Sequence, residues 1–130
     1  MCIRDSATFY KTSKYILLDK QLIDFASIAI NRPDMKNQHD IFNRVMPKDQ
    51  HAVVTFFENR LTGSRFIVAN AHLHWDPKFA DVKVIQTAIL MENVSKMAEK
   101  YVSWPPSTDK DKKTYSFSGD TTVGLSLIHI

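Results

Sequence analysis

Two apolar runs, "HAVVTFFENR" from residue 51 and "RFIVANAHL" from residue 65, are separated only by "LTGS". A connection this short leaves the second run little choice but to pair antiparallel with the first. Gly63 supplies the backbone freedom that such a turn needs. The expected pair is 51–58 with 65–73, rich in the β-branched and aromatic residues that favour strands. Alternation puts Ile67, Ala69, Ala71 and Leu73 on one face. Phe66, Val68, Asn70 and His72 fall on the other, joined by His74 if the extended geometry continues. Apolar residues on both faces imply a sheet covered on both sides.

After Pro77 the period changes from two to about 3.6. Val82, Ile85, Ile89, Val94, Met97 and Tyr101, widened by Ala88, Met91 and Ala98, form one stripe of a helix over 81–101. Asp76-Pro77 or Asp81 opens it, and Trp104-Pro105-Pro106 closes it. Strands followed by a packing helix define a mixed α/β domain.

The rest of the chain is less regular. Residues 7–25 read as two strands, near 7–12 and 15–20, with a turn at Thr12-Ser13-Lys14. Residues 31–50 form a long connection with one short helical turn at 39–45. The polar tail 105–124 reads as an exposed loop.

Both ends are expected to be foreign to the fold. One allowed back-translation of Met1–Ser6, ATG TGT ATA AGA GAC AG, has a reverse complement encoding Leu-Ser-Leu-Ile-His, the sequence of residues 125–129. That relation resembles a transposase-end sequencing adapter translated at both edges of an insert, so residues 1–6 and 125–130 are set aside. The single cysteine, Cys2, lies in that element, which leaves no disulfide framework. A net charge of +3 permits an anionic ligand without specifying one. No apolar run is long enough to cross a bilayer.

The chemistry concentrates in "NAHLHWDP", residues 70–77. In α/β sheets, ligands gather outside strand ends, and this segment stands at one. His72 and His74 on one strand face would make a chelating pair, with His39, His51, Asp76 or Asp81 as a third ligand. Alternatively, His72 donates a hydrogen bond to a phosphate or a scissile oxygen, with Asn70 placed to orient it. In the plainest reading, both histidines only close the strand. Trp75 reads as a lid over the core before a base-stacking platform, and Asp76 as a helix cap before a catalytic acid. Arg44, beside Asn43, reads as an architectural ion pair before a phosphate ligand.

"ATFYKTSKY", "NRVMPKD", "AVVTFFENRLTGSRFIVANAHLHWDP" and "DVKVIQTAILMENV" together resemble, in that order, the carbon catabolite repressor protein 4 deadenylases of filamentous fungi. These are catalytic subunits of the large cytoplasmic deadenylation complex and members of the exonuclease–endonuclease–phosphatase superfamily. The resemblance covers about residues 7–106 and implies part of a layered α/β sandwich, with 107–124 a variable loop of the same domain. It implies magnesium-dependent hydrolysis of poly(A) RNA from its 3′ end. By residue, it implies that His72 contacts substrate phosphate, that Pro77 lines the substrate cleft, and that Asn43 and Arg44 are mainly architectural. The family's metal-binding Glu lies upstream of residue 7, so no metal ligand is expected here. Its catalytic Asp-x-Asn is not matched at Asp120, where Thr122 stands in place of the Asn. The leucine-rich repeats that bind the complex scaffold are likewise outside the chain. Another superfamily phosphodiesterase, an endonuclease or a phosphatase, and a non-catalytic nucleic-acid-binding domain remain alternatives.

Overall fold

A computed structural model of the chain describes residues 2–3, 6–35, 43–45, 48–102 and 121–127, the first and last of these by backbone alone. The paired runs form β4, His51–Asn59, and β5, Arg65–Ala71. Their antiparallel register runs from Ala52↔Ala71 to Glu58↔Arg65. Gly63 has φ 74°, in the left-handed region that favours glycine. Asn59 tightens the turn, its side chain accepting from the Leu61 and Thr62 amides at 2.9 and 3.3 Å.

The edge partner of β4 is a single ten-residue strand, β3, Tyr15–Asp24. This corrects the expectation of a strand at 7–12 and carries the one expected at 15–20 on to Asp24. Residues 8–11 are not strand, and Ser6–Ala7 (β2) pair only with Cys2–Ile3 (β1). The turn at 12–14 is present, closed by Lys14 and Tyr15 amides donating to the Lys11 carbonyl. Asp19, Lys20 and Gln21 look like a break in sequence, but β3 lies at the sheet edge, where charged residues are tolerated. A register shift between Leu17 and Asp19 absorbs one extra residue. Helix α1, Phe25–Asn31, follows at once and was not legible as a separate element. Its start is fixed by Asp24, whose carboxylate accepts from the Ser27 amide at 3.2 Å and the Ser27 hydroxyl at 2.7 Å.

Helix α2, Ala80–Val102, matches the expected 81–101 and packs on one sheet face. Val82, Ile89, Leu90, Val94, Met97 and Tyr101 meet Ile23, Val54, Phe56, Ile67 and Ala69 there. The Phe56 and Tyr101 rings stack with centroids 4.7 Å apart. Each such side chain, fully buried, stabilises the fold by about 1.5–3 kcal/mol. The stripe is rotated from the expected one: Ala88 and Met91 face solvent, while Gln86 and Leu90 are buried. Helical geometry places 82, 86, 89 and 90 together, and a glutamine hides that register from a count of apolar residues.

β4 is buried on both faces, from Ala52 to Glu58. On the face away from α2, Phe57 stacks on Phe66 at 5.4 Å and meets Tyr10 at 4.8 Å. The segment from Ser6 to Tyr10 covers only part of this face. An open groove of about 300 Å³ remains among Thr8, Tyr10, Phe57, Phe66 and Val68.

A fourth strand, β6, Thr121–Leu127, runs parallel to β5, so the sheet order is β3-β4-β5-β6. This corrects the loop expected through residue 124. Thr121, Thr122 and Val123 are β-branched and suit strand backbone, and β5 offers an open edge. Leu125–Leu127, set aside as foreign to the fold, continue that ladder opposite Ala69–Ala71. The expected loop over 107–120, with Asp120, lies outside the described residues, as does His39. Residues 43–45 are helical, within the turn expected at 39–45.

Candidate active site at the end of strand β5

The ladder stops at Ala71, whose partner Ala52 is the second residue of β4. Among the described residues no strand pairs with residues 72–76, and they leave the sheet. The expected strand therefore ends two residues early, and the shared face on which a His72–His74 chelate depends is not formed. Instead the His74 amide donates to Gln86 Oε1 on α2 at 2.9 Å. Since a backbone N–H can only donate, this bond fixes the Gln86 amide, whose Nε2 then donates to Gln50 Oε1 at 3.1 Å.

The His74 ring is 7 % exposed and meets Phe79 edge-on at 5.1 Å. Neither ring nitrogen has a hydrogen-bond partner among the described residues. Burial, reinforced by Lys48 and Lys83 and opposed by Asp76, holds its pKa below the ordinary histidine value, so the ring is neutral. Among the described residues no three His, Cys, Asp or Glu side chains gather to hold a metal ion. The side chains described here do not fit a magnesium site by themselves.

His72 is half-buried immediately past the strand end. Asn70 lies on the face away from α2, where its Nδ2 donates to the Ala7 carbonyl at 3.0 Å and ties the N-terminal segment to the sheet. Trp75 is 65 % exposed, which corrects the expectation of a lid. With His74 turned inward against Phe79, its neighbour is left facing solvent. Asp76 caps the following turn: its side chain accepts from the Lys78 amide at 2.9 Å, and its carbonyl accepts from Phe79 at 3.0 Å. Pro77 opens the 3₁₀ turn Pro77–Phe79 and is exposed beside Trp75.

Arg44 joins the connection to the start of α2. Its Nε and one terminal nitrogen donate to the two Asp81 carboxylate oxygens at 2.8 and 3.0 Å, and the same terminal nitrogen donates to the Lys78 carbonyl at 2.9 Å. That pairing holds the Asp81 carboxyl below its ordinary pKa. Asn43 is exposed beside it. Phe79 takes the Arg44 guanidinium 4.7 Å from its ring centre and the Lys48 ammonium at 4.1 Å. Residue types alone did not single out Gln50, Lys48, Phe79 or Gln86. A helical count from Val82 would have found Gln86 on the buried side. The result is a short turn capped by Asp76 and tied to Arg44 and Gln86, with His72 at its entry.

The antiparallel strands and the packing helix are those of an exonuclease–endonuclease–phosphatase α/β fold. The crystal structure of ANGEL2, a 2′,3′-cyclic phosphatase of that fold, superposes on 68 % of this chain with a TM-score of 0.52 and 27 % identity, over 22 % of its own length. Within that class the chain is a homologue of the fungal Ccr4 proteins. It is 72 % identical over 104 residues to the "CCR4-Not complex 3′-5′-exoribonuclease subunit Ccr4" of Neurospora crassa, covering 80 % of this chain and 13 % of that one. To the protein of the same name from Phaeosphaeria nodorum it is 64 % identical over 119 residues, 91 % of this chain and 20 % of the relative. The chain thus spans a fifth or less of these curated relatives. No protein-family model matches it.

Proposed function

We propose that this chain is part of the catalytic domain of a 3′-exoribonuclease that removes poly(A) from RNA, a cytoplasmic subunit of a CCR4-Not-type complex. The observation that supports this most directly is the end of β5, where His72 leads into a turn capped by Asp76 that carries Lys78 and has Lys48 and Lys83 close to His74, Arg44 being paired with Asp81. A phosphodiester is the anion that such a cationic strand end suits. In this reading His72 donates a hydrogen bond to a phosphate oxygen, Pro77 lines the cleft with Asn70 behind it, and Asn43 and Arg44 brace the wall. Magnesium supplies charge stabilisation on the phosphoryl group when bound, held by carboxylates other than those described here. The same fold in a 2′,3′-cyclic phosphatase supports a second reading, hydrolysis of a terminal phosphate ester.

The test is incubation of the full-length protein with magnesium and an RNA bearing a 3′-oligoadenylate tail. One-nucleotide shortening is expected. Release of phosphate from a 2′,3′-cyclic end without shortening would replace this reading with the phosphatase one.

A further inference from the structure

The segment "DVKVIQ" contains a glutamine that the proposed chemistry leaves without a task, and the structure gives it one. Gln86 is fully buried on the sheet-facing side of α2, among Val82, Ile89 and Leu90. A glutamine amide there is costly unless both ends are bonded. Both are: Oε1 accepts from the His74 backbone at 2.9 Å, and Nε2 donates to Gln50 Oε1 at 3.1 Å. One side chain therefore ties together three pieces of chain: the turn leaving β5, the lead-in to β4 and the helix. The His74 amide holds the departing backbone to the helix three residues beyond Ala71. His72 lies between that anchor and the last ladder pair.

We propose that Gln86 is a positioning residue: by clamping the His74 amide it fixes the path of residues 72–74, and so the place of the His72 imidazole. This rests on the proposed phosphodiester role of His72. A small displacement of a group that must meet a phosphate oxygen costs turnover far more than it costs folding. An apolar side chain of similar size, Gln86→Met, fills the space but frees the amide. Gln86→Glu, held protonated by burial, keeps the acceptor for the His74 amide while its hydroxyl donates to Gln50 Oε1.

The experiment uses the full-length protein, with three readouts. The first is hydrogen exchange of the His74 amide. Gln86→Met is expected to exchange it at least tenfold faster, with α2 and β4 amides unchanged, and Gln86→Glu to retain protection. Unchanged protection in Gln86→Met would overturn the clamp. The second is kcat on an oligoadenylate RNA, expected to fall roughly ten- to a hundredfold in Gln86→Met and to recover in Gln86→Glu. The third is the same substitution made in a His72→Ala background, where it is expected to have little further effect. An equal loss in both backgrounds would show that Gln86 does not act through His72 and would overturn the positioning role. If wild-type protein hydrolyses no phosphodiester, the functional reading fails and the positioning role with it, while the exchange measurement still decides the clamp.

Discussion

Glu58 and Arg65 face each other across the β4–β5 ladder beneath α2, both almost completely buried, with Arg65 Nε donating to Glu58 Oε2 at 3.1 Å. Arg65 also donates to the Tyr101 carbonyl at 3.2 Å, near the C-terminal end of the helix. The pair closes the end of the core opposite the candidate site. Removing one partner leaves the other charge in a low-dielectric interior, at a cost of about 3–5 kcal/mol. Glu58→Ala and Arg65→Ala are each expected to lower the denaturation midpoint sharply. Replacing both by Met is expected to recover much of the loss, because desolvating two charges is itself costly. Chemical denaturation of the four proteins measures this, and a double variant as unstable as either single one would refute it.

Arg44 and Asp81 are the contrasting case. Their two-point pair leaves the side chains 41 % and 47 % exposed, and water screens it. Arg44→Ala is expected to cost about 0–1 kcal/mol in global stability, with some further loss from the stacked Phe79. Its main effect should be faster hydrogen exchange at residues 78–82, where the ion pair holds the start of α2. A loss as large as that from Arg65→Ala would mean that the pair is as insulated as Glu58–Arg65.

The contrast shows what a sequence can and cannot disclose. The β4–β5 hairpin and α2 were legible because their apolar periodicity is strong and local. Helix α1 was not, because Asp24 and Ser27 form its cap within a stretch whose Ile and Phe residues read equally well as strand. Asp76 as a cap was legible from Asp-Pro before a helix. The inward turn of His74 was not, since it depends on a bond to Gln86, twelve residues on. Nothing in Glu58 or Arg65 taken singly announces burial; only the register that pairs them does.

His74 is expected to make stability depend on pH. Burial first, then Lys48 and Lys83, lower its pKa in the folded state against the opposing pull of Asp76. In the unfolded chain it titrates near the ordinary value of 6.5. Above that value both states are neutral, and the contribution is fully present. As pH falls below it, the unfolded chain takes up a proton that the folded one resists, and stability is lost down to the folded pKa. The thermal midpoint should therefore fall between pH 7.5 and 5.5, and His74→Leu should flatten that slope. An identical slope in the variant would assign the effect elsewhere.

His72 is expected to behave differently from its neighbour. It is half-buried at the exit of the strand, so its truncation opens no large cavity. In the full-length protein, His72→Ala is expected to cut turnover of oligoadenylate RNA by roughly a hundredfold or more, in the range of a lost charge-stabilising donor, with the thermal midpoint nearly unchanged. A large fall in midpoint with turnover per folded molecule preserved would make His72 a residue that only closes the strand.

The polypeptide expressed alone is expected to be inactive. Hydrolysing a phosphodiester at neutral pH needs charge stabilisation on the phosphoryl group as well as a donor such as His72. The described residues gather no group of three metal-ligating side chains. The purified polypeptide should therefore leave a 3′-oligoadenylate RNA intact in magnesium. Shortening by single nucleotides, lost on Asp120→Ala, would instead identify Asp120 as a catalytic carboxylate. It would also show that the second half of a phosphodiesterase site is already contained in the chain.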